Sequence, residues 1–151
     1  ALADVSSPGR LQVVSRKPRI ILDAAHNPHG AQSLASALEN SFGLPHTVAV
    51  MSVLNDKDAI GLFSALEPVV AEVVITKSTS IRAHDPEVLA ITAREVFGDE
   101  RVTVAEDFRD ALSLAESKLP PTPKSTIVVT GSISLIGDVL KFRQIQEDAD
   151  V

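Results

Sequence analysis

Apolar residues along this chain fall into two rhythms. Short runs rich in Val, Ile and Thr, bounded by polar or turn-forming residues, predict strands over 11–15, 19–24, 47–53, 72–78, 101–105 and 125–132. Between them, apolar positions recur every three or four residues. Ala31, Leu34, Ala35, Leu38 and Phe42 follow Pro28 and give out at Gly43, which predicts a helix. Asp58 precedes Ile60, Phe63 and Leu66 as a cap precedes a helix. Asp85–Pro86–Glu87 offers a cap, a proline at the first helical position and an early acid before residues 88–98. Asp107 opens a helix through Lys118, and Leu135, Val139, Leu140 and Phe142 mark the last one.

Strands that are continuous apolar runs, separated by helices, build a mostly parallel sheet covered on both faces. Arg16–Lys17–Pro18 is a connection suited to a hairpin, so the first strand is expected to be an antiparallel edge. The expected fold is α/β: a Rossmann-like three-layer sandwich with a mostly parallel sheet of about six strands, one antiparallel edge strand, and helices on both faces. At 151 residues the chain is one domain long and can bury a sizeable core. Residues 1–9 read as a linker remnant with a turn at Pro8–Gly9, residues 10–143 as the domain, and the acidic 144–151 stretch as a frayed tail.

Composition narrows the function. Aromatics are 3% of the chain, with no Trp or Tyr, and the net charge is −6, so nucleic acid is not an expected partner. The absence of cysteine excludes disulfides, thiolate metal sites and cysteine nucleophiles, and suits a reducing cytoplasm. No apolar run approaches the roughly 18 residues of a membrane span, and the start has no secretory pattern.

In open α/β sheets, ligands gather beyond the carboxyl ends of the strands. Those ends carry Asp23–His26–Asn27, Asn55–Asp56–Lys57–Asp58, Thr76–Lys77 and Thr130–Gly131–Ser132. Taken singly, Asp23 suits a helix cap and His26 a turn. Asp23, His26 and His29 could also be read as metal ligands, but their spacing fits no strong signature, and a helix starting at Pro28 would turn the histidines apart. In "TGSISLIG", Gly131 suits a tight turn and Ser132 an N-cap, and the N–H groups there could hold a carboxylate or phosphate. Lys57, flanked by acids, reads as a solvated lysine; Arg82, in a loop, is free to reach an anion or face water. Neither G-x-x-x-x-G-K-[ST] nor G-x-G-x-x-G occurs, so the chain could supply only part of a nucleotide site.

"SPGRLQVV", "ILDAAHNPHG", "VLNDKD" and "VVTGSISLIGDV", in that order, resemble the C-terminal domain of the folylpolyglutamate synthase and dihydrofolate synthase family, relatives of the Mur ligases. The likeness runs from about Pro8 to Arg143. The family's usual glycine after the aspartate is Ala24 here, a conservative change unless positive φ is needed there. The resemblance implies a cytoplasmic, monomeric ligase that uses ATP and Mg²⁺ to join L-glutamate to folate or dihydropteroate through an acyl phosphate. It also implies an N-terminal ATPase domain as partner, absent from this chain, which holds the P-loop and most of the magnesium site, so that this chain alone would be inactive.

By the same resemblance, Arg10 and Asp23 would contact ATP, and His26 and Asn27 would line the ligation site, with Asn27 also near the nucleotide and Asp23 and His26 nearest the chemistry. Lys57 and Ser132, by analogy with the Mur relatives, would hold glutamate's carboxylates. Arg82 is a further candidate, and His29 is expected on the helix surface. The rival readings are a Mur-type ligase acting on a nucleotide-linked peptide, a stand-alone small-anion-binding α/β module, and a metal hydrolase built on Asp23, His26 and His29.

Overall fold

The computed structural model describes residues 9–149, so Pro8, the remainder of the expected linker and the last two residues lie outside the description. Six strands run in the order β1 (Gln12–Arg16), β2 (Arg19–Leu22), β3 (Thr47–Met51), β4 (Glu72–Ile75), β5 (Val102–Val104) and β6 (Thr126–Thr130). Five helices accompany them: α1 (Pro28–Asn40), α2 (Ala59–Leu66), α3 (Pro86–Phe97), α4 (Phe108–Ser117) and α5 (Ile133–Ala149). The strands form one sheet in the order β1-β2-β6-β3-β4-β5. Only the β1–β2 pair is antiparallel. The expected architecture, antiparallel edge included, is the observed one.

Strand parity explains why the runs are apolar without alternation. Ile21, Met51, Val73 and Val128 pack on α1, α2 and α3. Their neighbours Leu22, Val50, Val74 and Val129 pack on α4 and α5. Both faces are covered, so both parities must be hydrophobic. Phe63 and Phe97 meet edge to face, with centroids 5.6 Å apart, beneath the first face. The caps act as their residue types dictate: Asn27, Asp58, Asp85 and Asp107 each accept a hydrogen bond from a first-turn N–H. Ser132 does the same for α5 through Leu135.

Several boundaries differ from expectation. β2, β3, β4 and β6 end earlier than expected, at Leu22, Met51, Ile75 and Thr130. Leu11 is not in β1; its φ is 50°, in the left-handed region. Ile60 is turned outward and 60% exposed. The stretch expected to fray after residue 143 continues as helix to Ala149.

β6 is the last strand in sequence, yet it lies between β2 and β3. The helices after β2 and β3 pack on one face, and α5, after β6, packs on the other. The connections diverge there and leave a crevice at the carboxyl ends. Gly131 makes this possible: its φ is +109°, and a Cβ would strike the carbonyl oxygen of Ser52. Gly131→Ala is therefore expected to lower stability by on the order of 4 kcal/mol, combining backbone strain with the clash. Gly43→Ala is the control, because only the flexible end of Lys124 lies near, at 3.9 Å. That change should cost about 1–2 kcal/mol. Urea unfolding of the two variants checks the difference.

Candidate functional site

Polar residues are buried at the carboxyl ends of four adjacent strands: Asp23, Ser52, Thr76, Ser78, Thr130 and Ser132. Such groups are stable in the interior only when hydrogen-bonded, and nearly all of these are. The Thr130 hydroxyl is buried without a partner among the described residues.

Asp23, only 9% exposed, is engaged on both oxygens. One accepts the N–H of Leu11 at 3.2 Å and the other the N–H of Ala25 at 3.0 Å. A third bond, from Ala24 N–H to the Gly9 carbonyl at 2.6 Å, ties the same two segments. The carboxylate thus holds the left-handed turn at Leu11 and, through it, places Arg10. Burial raises the Asp23 pKa above the usual carboxylate value, opposed by the two N–H bonds and by the charge of Arg10. Ala24 is not in the left-handed region, so alanine replaces the family's glycine there without backbone strain.

Arg10 is exposed and makes no ion pair or hydrogen bond through its guanidinium among the described residues. It lines a hollow of about 410 Å³ together with Asp23, His26, Asn27 and His29. His29 is exposed on the first turn of α1 and borders the hollow from outside. Asn27 Oδ1 accepts the Gly30 N–H at 2.8 Å, and its amide NH₂ makes no hydrogen bond among the described residues. His26 places Nδ1 3.0 Å from the Ala24 carbonyl. A carbonyl can only accept, so Nδ1 carries the proton and Nε2 is left for a ligand.

His26 also borders a second hollow, of about 370 Å³, with Lys57, Ser80, Arg82 and Ser132. Ile133, at the start of α5, is the other residue common to both. Lys57 makes no ion pair among the described residues, whereas Arg82 meets Asp56 at 3.2 Å, both side chains more than half exposed. Ser132 is fully buried and its hydroxyl caps Leu135, so what this position can offer a ligand is the start of the helix rather than a free side chain. The structure therefore sorts the sequence candidates into two adjoining hollows, Arg10, Asp23 and Asn27 in one, Lys57, Arg82 and Ser132 in the other, with His26 between them. Ser80 and Ser134 line the second hollow as well. Sequence reading passed over them, because isolated serines in loops carry no distinguishing signal.

Asp23, His26 and His29 do not form a cation cage. Among the described residues, no three His, Asp or Glu side chains are placed to share an ion. A larger depression of about 620 Å³ lies at the other rim, between the β1–β2 turn and the Pro120–Pro123 loop. It is bordered by strand starts, so it lacks the diverging connections that build a ligand site in such sheets.

The family model described as Mur ligase, glutamate ligase domain, matches residues 9–133. A Mycobacterium tuberculosis protein named dihydrofolate synthase/folylpolyglutamate synthase is 43% identical over 146 residues, covering 89% of this chain and 30% of that protein. The folylpolyglutamate synthase of Lacticaseibacillus casei is 30% identical over 132 residues, covering 87% of this chain and 28% of that protein. Among solved structures, Mycobacterium tuberculosis folylpolyglutamate synthase complexed with ADP superposes with a TM-score of 0.87 at 43% identity, covering 91% of this chain and 32% of that one. A bifunctional enzyme of the same kind from Yersinia pestis, complexed with AMPPNP and a Mn ion, gives 0.78 at 28% identity, with 92% and 32% covered. This chain spans about a third of the length of the curated relatives it matches.

Asp23 yields a pH prediction. Its folded pKa is raised, so the stability it contributes is full below the ordinary Asp value of about 3.9 and is lost as pH rises through the elevated value. Asp23→Asn removes this titration. Wild-type stability measured against that variant should fall with rising pH over that window, as followed by urea unfolding at each pH. The variant also has one acceptor oxygen for two N–H groups, so exchange of the Leu11 or Ala25 amide should quicken at every pH.

Proposed function

This chain belongs to the Mur ligase glutamate ligase domain family, and from that premise we propose that it is the C-terminal lobe of an ATP-dependent ligase that adds L-glutamate to folates, and to dihydropteroate where the enzyme is bifunctional. The observation that carries this reading is the pair of hollows joined at His26, each with a cation lacking an ion-pair partner among the described residues. One suits a nucleotide's phosphates and the other a dicarboxylic amino acid. The names of the relatives point to folate rather than to a nucleotide-linked peptide as acceptor.

In the first hollow, Arg10 offers paired donors to phosphate oxygens. Asp23 keeps Arg10 in place and has lone pairs left for a ribose hydroxyl, and the free amide of Asn27 faces the same ligand. In the second, Lys57, Arg82 and the N-terminus of α5 at Ser132 receive the carboxylates of glutamate. His26, with Nε2 open, accepts a hydrogen bond from the glutamate amine at the boundary. ATP supplies the phosphoryl group that activates the acceptor carboxylate. Magnesium and most of the phosphate cradle belong to the remainder of the polypeptide, whose N-terminal lobe covers both hollows in a cytoplasmic monomer. Ile81, fully exposed, and Ile133, 64% exposed, stand at the rim as aliphatic surface that such a lobe would cover.

The test uses the full-length polypeptide with ATP, isotopically labelled glutamate, and either tetrahydrofolate or dihydropteroate. A product heavier by one glutamyl residue, with ADP and phosphate released in equal amounts, is the expected result; no product with either acceptor overturns the reading. The residue roles separate kinetically. Arg10→Ala should raise the KM for ATP about ten-fold and leave that for glutamate unchanged, and Lys57→Met should do the reverse. His26→Ala should lower kcat about a hundred-fold.

A further inference from the structure

The connection over residues 78–84, which brings Ser80 and Arg82 to the second hollow, is gripped by a carboxylate that the reading above does not use. Asp138, partly buried in the second turn of α5, accepts the N–H of Thr79 on one oxygen at 2.8 Å. It accepts the Thr79 hydroxyl on the other at 2.7 Å. Asp138 is not among the residues lining the second hollow. The rest of the connection is fastened elsewhere: Asn55 N–H donates to the Arg82 carbonyl at 2.8 Å, and His84 N–H to the Val53 carbonyl at 2.9 Å.

Those bonds join the Arg82 segment to the segment that carries Lys57. They fix the two cations relative to each other, but not relative to the start of α5. A hydroxyl pair, Ser78 with Ser134 at 2.7 Å, touches α5 nearer to β4, where the chain is already held by the Ser52 hydroxyl. The contact that references the outer part of the connection to α5 is the one between Asp138 and Thr79.

We propose that Asp138 is a positioning residue for the second hollow: by clamping Thr79 it sets the distance between the Lys57–Arg82 pair and the N-terminus of α5, and so the spacing at which two carboxylates are received. The proposal rests on the reading of that hollow as an amino-acid site. It also makes a claim about chemistry type. The clamp needs hydrogen-bonding geometry and no charge, because the Thr79 hydroxyl can accept as well as donate. An asparagine at position 138 would accept from the Thr79 N–H and donate to its hydroxyl.

The experiment compares Asp138→Ala, Asp138→Asn and Thr79→Val in the full-length polypeptide. Asp138→Ala should raise the KM for glutamate about ten-fold, the scale of one or two lost hydrogen bonds, with kcat and the KM for ATP within about two-fold. Asp138→Asn should stay within about two-fold of wild type, and Thr79→Val should show a smaller rise in the same direction. Amide hydrogen exchange over residues 79–82 is the readout that needs no substrate: faster in Asp138→Ala, unchanged in Asp138→Asn. A defect in Asp138→Asn equal to that of Asp138→Ala overturns the proposal in favour of a direct electrostatic role. Unchanged exchange in Asp138→Ala overturns it outright, as does faster exchange with an unchanged KM for glutamate. If wild type makes no glutamyl product, the ligase reading fails, and the exchange pattern alone decides the clamp. Should Asp138→Ala fail to fold, Thr79→Val, altered at an exposed residue, decides it in the same way.

Discussion

The site depends on one close approach of backbone to backbone. Gly131 lies against the Ser52 carbonyl, where no Cβ can be placed, and its N–H donates to the Ala25 carbonyl at 3.0 Å. The connections after β2, β3 and β6 are thereby packed on one another without intervening side chains. This is the geometrical cost of inserting the last strand into the middle of the sheet. It also decides what can follow. His26 and Lys57 stand on the connections after β2 and β3, around that packed centre, and Arg10, before β1, and Arg82, after β4, border the same hollows.

Polar residues at this rim fall into two ranks by distance from the sheet. Nearest the strands, Asp23, Ser52, Ser78 and Ser132 are buried and bonded to backbone N–H groups or to other hydroxyls. Left unbonded, each would carry a penalty of about 1–3 kcal/mol, so their partners are what allow a polar belt inside the fold. Further out, Arg10 is exposed and Lys57 and His26 are half-buried, and among the described residues Arg10, Lys57 and Nε2 of His26 make no such bonds. Asp23 shows how the ranks connect. Burial disfavours its charge, two N–H groups and Arg10 favour it, and the same bonds hold the Leu11 turn that aims Arg10. A residue that the motif marks only as a candidate ligand contact is thus also the brace of another candidate.

Much of this was legible in the chain, and what was not has a physical reason. The period of the apolar residues depends on local geometry alone, so the six strands and five helices could be read from it, and the short Arg16–Lys17–Pro18 connection gave the antiparallel edge. Caps are local too: Asn27, Asp58, Asp85 and Asp107 declare themselves within three residues. Long-range contacts leave no such trace. Nothing near Thr79 announces that Asp138, fifty-nine positions on, will hold it. Nothing near Leu11 announces a left-handed turn, because its cause lies at Asp23. Ser132 was legible as a cap, and burial shows that its hydroxyl is committed to that bond. The tail was misjudged from its acidity, although Gln144 and Asp148 bond at the four-residue spacing of a helix surface.

On the proposed reading, the openness of the rim and the lack of ion-pair partners for Arg10 and Lys57 among the described residues have one explanation. Arg10 is exposed and Lys57 half-buried, so water reaches both charges. A lobe closing over them removes that water, and an unpaired cation in a low-dielectric setting costs several kcal/mol. Closure is therefore opposed while the hollows are empty. It becomes favourable once phosphate and carboxylate groups fill them, since the same low dielectric then strengthens each ion pair. Ile81 and Ile133 add apolar area to the closed state whichever ligand is present, so they favour closure without discriminating among ligands. On that reading discrimination would come from the cations, whose spacing Gly131, Asp23 and, under the clamp proposal, Asp138 would hold. On the proposed reading, a ledge carrying such charges would close only on an anionic load of matching shape.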